Sequence, residues 1–102
     1  MAKRKIYRFR AGRLSIWYTD VIINHIAKHN VRISEVKTAL QESKALFIRL
    51  KRKDWIAIVK HPYSGRYLTI ILEKTGKNEY RIKTARDSTT SEKRLLKKYA
   101  KL

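Results

Sequence analysis

The chain of 102 residues contains no cysteine, and it has only eight acidic residues, three glycines and one proline. Without cysteine it can form no disulfide framework, thiolate nucleophile or cysteine-rich zinc site. No apolar run approaches the length of a membrane span, and the charged start "MAKRKIYRFRAGR" has no secretory-signal segment behind it. We therefore expect a single cytoplasmic domain over residues 1–102, without a membrane partner.

The shortage of acidic residues stands against 26 lysines and arginines, which gives a formal net charge of +18. An excess of this size repels itself in a compact chain and is tolerated best where an anionic partner is present, most often nucleic acid. An acidic protein partner, a membrane surface and a basic surface without a specific role are the alternatives. The charge favours nucleic acid without saying which residues bind it.

The first half of the chain predicts a basic segment followed by two helices. Residues 1–13 read as a basic arm or a short edge strand, with six basic residues and no acidic one. The stretch "YTDVIINHIAKHN" predicts a helix capped by Thr19 or Asp20 and ended by Asn30. The stretch "RISEVKTALQES" predicts a second helix with Ser34 as its N-cap.

The second half changes to the period of extended strands. Four β-rich runs joined by short polar turns indicate an antiparallel meander: "KALFIRLK", "DWIAIVKH", "GRYLTIILEK" and "NEYRIKTAR". The third run is apolar on both faces, which predicts a central strand. A capping box at Thr89–Glu92 then begins a last helix, and its apolar stripe is predicted to pack on the sheet: Leu95, Leu96, Tyr99 and Ala100. The pattern predicts an α+β fold with two N-terminal helices, a four-stranded antiparallel sheet and a C-terminal helix, all helices on one face.

Basic and aromatic residues alternate along the predicted sheet: Lys60, Tyr63, Arg66, Tyr67, Tyr80, Arg81, Lys83 and Arg86. Cations neutralise phosphates and aromatic rings stack on unpaired bases, so the mixture favours single-stranded nucleic acid. Alternatively, edge-strand cations prevent aggregation and the tyrosines pack at the sheet margin. Simple alternation puts Arg81, Lys83 and Ala85 on one face, and Arg86 joins them only where the strand ends or twists.

Metal and acid–base chemistry have little support in the sequence. His25 and His29 are spaced to reach one metal ion, but H-I-A-K-H lacks the glutamate of a zinc-protease helix. We expect no metal and no cofactor. Glu92 is explained by the capping box, and the alternative is that its carboxylate orients an arginine or moves a proton.

Several segments resemble BrnT-type toxins of bacterial and archaeal toxin–antitoxin systems, within the RelE-like superfamily. "IWYTDVIINHIAKHNVRISEVKTAL" is similar to that family's strand and helix pair, and "GRYLTIIL" is similar to its central strand. "YRIKTARDSTTSEKRLLKKY" resembles its closing R-I-I-S-A-R-x-A-t-x-x-E-x-x-x-Y signature. The likeness spans residues 14–102, with departures at His25, Asn30 and Lys83-Thr84.

The resemblance implies a RelE-like fold and a metal-independent endoribonuclease that cleaves messenger RNA, free or on the ribosome. Its partner would be a cognate antitoxin, with which it can form an oligomer. The implied catalytic residues are Lys28, His29, Arg66, Arg81, Arg86 and Glu92, and the nucleic-acid-binding candidates are Lys60, Tyr63, Tyr67 and Lys83. The arginines would hold a phosphate attacked in line by the RNA 2′-OH, while Lys28, His29 or a tyrosine moves the proton. The alternatives are a non-catalytic nucleic-acid-binding module and a module that docks an acidic protein.

Overall fold

A computed structural model describes residues 5–100 as an α+β fold with three helices and one six-stranded mixed sheet. The elements are β1 (Ile6–Ala11), β2 (Leu14–Thr19), α1 (Asp20–Ala27), α2 (Ile33–Glu42), β3 (Leu46–Lys51), β4 (Asp54–Lys60), β5 (Tyr67–Gly76), β6 (Glu79–Asp87) and α3 (Thr90–Ala100). The strand order is β1-β2-β6-β5-β4-β3, so β5 is a central strand, as its sequence predicts. Over this range no helix is both long enough and apolar enough to cross a bilayer.

The predicted four-stranded antiparallel sheet is wrong, because an N-terminal hairpin adds two strands. β1 and β2 pair in antiparallel register through a two-residue turn that starts at Gly12, whose φ of 61° suits glycine. β2 then pairs with β6 in parallel, with Ile16 opposite Tyr80, which makes the sheet mixed. Of the two readings of residues 1–13, an edge strand describes residues 6–11, and residues 1–4 lie outside the described range.

The expectation that all helices lie on one face, as in the implied RelE-like arrangement, is also wrong. Strand β4 has apolar side chains on both faces, and helices pack on both. Ala57 and Val59 belong to the core beneath α1 and α2, whereas Ile56 and Ile58 pack with Leu96 of α3. We call these two sides of the sheet the helix-pair face and the α3 face. The main core, on the helix-pair face, includes Ile16, Ile26, Val31, Val36, Leu68, Ile70, Leu72 and Ile82.

The ends of α1 and α2 agree only in part with the sequence prediction. Asn30 follows α1 with a φ of 59°, the left-handed conformation typical of a residue that ends a helix. Ser34 is not the cap of α2: Arg32 occupies that position, and its backbone N–H donates to the Glu35 carboxylate at 3.0 Å. Thr19 is the N-cap residue of α1, without a capping hydrogen bond from its side chain.

Candidate nucleic-acid interface

A β-bulge in β6 decides which way its arginines point. The pairing of β6 with β5 shifts register at Lys83, which has no partner residue on β5. Ala85, which simple alternation places with Arg81, instead joins the core on the helix-pair face. Since one extra residue reverses the alternation beyond it, Arg86 lies on the α3 face together with Arg81.

Glu92, in the first turn of α3, is held by four hydrogen bonds. Its two oxygens accept from the Arg86 guanidinium at 2.8 and 2.9 Å, and one of them also accepts from the Thr89 backbone N–H at 2.8 Å and the Thr69 hydroxyl at 2.9 Å. The Glu92 N–H donates to the Thr89 hydroxyl at 3.2 Å, which completes the predicted capping box. The hydrogen bonds from Arg86, then those from Thr89 and Thr69, outweigh burial and lower the pKa of Glu92 to about 2. Glu92 therefore stays ionised and orients Arg86.

Three ammonium groups surround the ring of Tyr67, close to the N-terminal part of α3. The Nζ atoms of Lys60, Lys93 and Lys97 lie 5.5, 5.7 and 5.6 Å from the ring centroid. We call these four residues the lysine cluster. The aromatic face attracts each cation, but the three like charges repel one another, so a bound anion would stabilise the arrangement. The cluster gathers three positive charges around one aromatic ring, which suits it to an anion such as a phosphate.

Sequence reasoning selected Lys60 and Tyr67 but missed Lys93 and Lys97. The available signal is their spacing of four residues on the predicted last helix, which places both side chains on one face. These two lysines reach Tyr67, at the start of β5, because α3 crosses that part of the α3 face. The sequence does not predict where α3 crosses the sheet. The predicted packing of the α3 apolar stripe on the sheet does not by itself identify these two cations.

Arg81 and Lys83 lie on the α3 face beyond the end that α3 covers. Arg81 forms an ion pair with Glu73 at 2.8 Å, and Lys83 forms one with Asp54 at 3.2 Å. The Arg81 guanidinium also lies 5.9 Å from the centroid of the Trp17 ring. Both predicted residues are partly exposed on the same surface as Arg86, but each is already neutralised by a carboxylate.

Arg66 does not join the other two arginines. It reaches toward the helix-pair face, where its guanidinium donates to both oxygens of Glu35 at 3.0 and 3.1 Å and to Asp87 at 2.7 Å. The hydrogen bond from Arg66 lowers the pKa of the Asp87 carboxyl despite partial burial. These bonds connect the start of α2 to the end of β6, so Arg66 has a structural role that accounts for its position.

The remaining candidates lie away from the α3 face. Lys28 and His29 are exposed residues that follow α1, and the His29 ring lies edge-on to the His25 ring with centroids 5.6 Å apart. Tyr63 lies in the turn between β4 and β5, and its hydroxyl donates to Glu42 at the end of α2. The structure therefore brings together Lys60, Tyr67, Arg86 and Glu92, and leaves Lys28, His29, Tyr63 and Arg66 elsewhere.

Among residues 5–100 there is no group of three or more His, Asp or Glu side chains that could hold a metal ion. No protein-family model matches the chain, and comparison with curated proteins and with solved structures gives no match. What the α3 face can do is therefore inferred from its own side chains, which combine a cluster of three ammonium groups with an arginine held by Glu92.

Proposed function

We propose that this protein is the toxin of a toxin–antitoxin pair, acting in the cytoplasm as a metal-independent endoribonuclease on messenger RNA. The observation that carries the proposal is the convergence of the lysine cluster and the Arg86–Glu92 ion pair at one end of the α3 face. The similarity of the closing segment to BrnT-type toxins supports the same activity. The proposal includes a cognate antitoxin that binds the toxin and stops cleavage.

In the proposed mechanism the RNA 2′-OH attacks the neighbouring phosphorus in line, which gives a cyclic phosphate and a free 5′-OH. The lysine cluster holds the non-bridging oxygens, and Arg86, fixed by Glu92, adds a charge where negative charge increases in the transition state. Within the cluster, Tyr67 is the residue that can both accept and donate a hydrogen bond through its side chain. We assign to Tyr67 a proton relay, in which its hydroxyl oxygen takes the 2′-OH proton and its own proton passes to the departing 5′ oxygen as the P–O5′ bond breaks.

The test is cleavage of an end-labelled messenger RNA in EDTA, with and without translating ribosomes. The Lys60→Gln/Lys97→Gln variant removes two charges from exposed positions of the cluster, and we expect cleavage to fall by about ten-fold or more. The matched control is Lys5→Gln/Lys44→Gln, which removes two exposed lysines outside the cluster and should cleave like the wild type. Equal activity in the two double variants would exclude the lysine cluster as the site.

A second function is favoured by the ion pairing of the predicted arginines. Arg66, Arg81 and Arg86 each bond to at least one carboxylate, and both Glu92 oxygens already accept hydrogen bonds. Such a surface can bind nucleic acid without cleaving it, with an affinity that falls steeply as salt rises. Salt-sensitive binding by a wild-type protein that cleaves neither free nor ribosome-bound RNA would establish this second function.

A further inference from the structure

Helix α3 crosses only one end of the α3 face. Leu96 covers Ile56 and Ile58, and Tyr99 lies beside Leu46 at the start of β3. The other end, which we call the open half, is formed by the facing side chains of β2, β6, β5 and the first residue of β4. It holds a groove of about 570 Å³ lined by Lys51, Arg52, Lys53, Asp54, Glu73 and Lys83.

Positive charge exceeds negative charge in this groove. Its two carboxylates are already used, Asp54 by Lys83 and Glu73 by Arg81. The other three cations lie at the end of β3 and in the turn that follows it, and we refer to them as the turn cations: Lys51, Arg52 and Lys53. They are exposed and take part in none of the ion pairs found in residues 5–100. A run of three consecutive unneutralised cations at the mouth of a groove is suited to a polyanion such as a phosphodiester chain.

An aromatic and guanidinium platform lies beside the groove. The Trp17 indole N–H donates to the Thr75 hydroxyl at 3.0 Å, which fixes the ring, and Arg81 lies over that ring at 5.9 Å. Glu73 accepts from the Arg81 Nε at 3.1 Å and pairs with its Nη2 at 2.8 Å, which holds the guanidinium along one edge. Unpaired bases stack on aromatic rings and on arginine planes, so the platform offers a base-binding surface next to phosphate-binding cations.

The open half lies a few nucleotides from the lysine cluster. Tyr67 of the lysine cluster lies at the start of β5, and Glu73 of the open half lies six residues further along the same strand. At about 3.3 Å per residue this separation is about 20 Å. A single RNA strand on the α3 face can therefore reach both places, with its bases toward the platform and its phosphates toward the turn.

We propose that the open half is a second RNA subsite, which binds the single-stranded segment flanking the bond that is cleaved at the lysine cluster. Its base platform is Trp17 and Arg81, and its phosphate contacts are Lys51, Arg52 and Lys53. The inference rests on the proposed ribonuclease function, which supplies the bond that is cleaved. It adds the class of substrate, which is an extended single strand of RNA. An RNA too short to reach both the lysine cluster and the open half should gain no affinity from the subsite.

The test compares two charge-matched triple variants for binding a fluorescent single-stranded RNA of about 12 nucleotides, 2′-O-methylated so that it cannot be cleaved. Lys51→Gln/Arg52→Gln/Lys53→Gln removes the turn cations. Lys5→Gln/Arg32→Gln/Lys44→Gln removes two exposed lysines and one exposed arginine elsewhere. We expect the turn variant alone to bind about ten-fold more weakly, with a salt slope smaller by about 2, and a trinucleotide to bind both variants equally.

A further variant, Arg81→Lys, keeps the charge and removes the planar guanidinium. It should weaken binding of the longer RNA by about five-fold while leaving the salt slope unchanged, as expected for lost stacking rather than lost charge. Equal binding by the two triple variants, with a wild type that cleaves RNA, would overturn the subsite alone. A wild type that neither cleaves nor binds RNA would overturn the proposed function first and the subsite with it.

Discussion

Arginines of this protein differ in role according to the face on which their carboxylate partners lie. Arg66 is 23% exposed and bonds to Glu35 and Asp87, one from a helix and one from a strand. Arg86 is 38% exposed, has one carboxylate partner and lies on the face of the lysine cluster. A guanidinium shared by two carboxylates is costly to release to a phosphate, so Arg66 stabilises the fold, while Arg86, with one carboxylate partner, is the better placed of the two for the proposed phosphate contact.

The first prediction separates these two arginines. Arg66→Gln should lower the free energy of unfolding by about 1 to 2 kcal/mol, because it leaves the partly buried Glu35 and the more exposed Asp87 without their cation. Its RNA cleavage per folded molecule should stay within about two-fold of the wild type, whereas Arg86→Gln should lose about ten-fold or more. Denaturant melts together with cleavage rates check both. A loss of cleavage in folded Arg66→Gln equal to that in Arg86→Gln would return Arg66 to the site.

The second prediction concerns the pH dependence that Glu92 gives to stability. Arg86 first, then the Thr89 N–H and the Thr69 hydroxyl, lower its pKa in the folded protein to about 2, against 4.5 for an unperturbed glutamate. A lowered carboxyl pKa stabilises the fold above the unfolded value, and this contribution is lost as pH falls from about 5 toward 2. A shift of this size corresponds to at most about 3 kcal/mol, and we expect about 2, because water screens the 38% exposed Arg86.

Glu92→Gln tests this directly, since a glutamine side chain can still cap α3 but cannot form the ion pair. The variant should be about 2 kcal/mol less stable than the wild type at pH 7 and equally stable near pH 2. Unfolding by urea at several pH values measures the difference. The control is Glu79→Gln, whose partner Arg8 is 56% exposed at 3.5 Å, and it should change stability by less than about 0.5 kcal/mol. A difference for Glu92→Gln that is independent of pH would contradict the assignment.

At the scale of helices and strands, the sequence predicts those features that depend on residues close together in the chain. The capping box of α3, the left-handed Asn30 and the strands β3 to β6 follow from residue types at fixed spacings. The parallel pairing of β2 with β6 and the bulge at Lys83 depend on partners distant in sequence, and no local sequence pattern predicts them. The face of Arg86 therefore could not be predicted, although its place beside a basic strand could.

The apolar stripe of α3 shows the same limit. Of the predicted stripe Leu95, Leu96, Tyr99 and Ala100, Leu96 is 7% exposed, while Leu95 is 37% and Tyr99 48% exposed; the side chain of Ala100 lies outside the described part of the structure. The helix crosses the sheet at one end and covers a small core formed with Ile56 and Ile58. Among the described side chains of α3, one leucine anchors the helix to the sheet in place of a continuous stripe. The helix and the lysines it carries are therefore held by few described apolar contacts and by the Glu92 hydrogen bonds.

The third prediction follows from this packing. Leu96→Ala should lower the free energy of unfolding by about 2 to 3 kcal/mol, because it opens a cavity against two isoleucines. Leu95→Ala, one residue away, removes a side chain that is 37% exposed and should cost less than about 1 kcal/mol. Thermal melts of the two variants give the comparison. Equal losses would mean that α3 lies on the sheet through a different face.

At the scale of the whole molecule, the net charge of +18 is distributed unevenly. In some regions cations lie beside carboxylates, and in others cations lie together. Carboxylates lie beside Arg66, Arg81, Lys83 and Arg86. The lysine cluster and the turn of residues 51–53 instead concentrate positive charge. Charge repulsion destabilises the compact state, and the folded protein should be sensitive both to general screening by salt and to specific anions at the cluster.

The fourth prediction distinguishes these two effects. Screening acts on the whole charge distribution, so the melting temperature should rise as sodium chloride is increased from about 20 to about 300 mM. Pyrophosphate at constant ionic strength should raise it further, because a polyanion that binds only the folded state stabilises by mass action. Lys93→Gln/Lys97→Gln should keep the response to salt and lose most of the response to pyrophosphate, since it leaves one ammonium beside Tyr67. Lys5→Gln/Lys44→Gln should keep both responses, because its lysines lie outside the cluster. A pyrophosphate response that survives in the first variant would place the anion elsewhere on the α3 face, and the turn of residues 51–53 would be the next site to test.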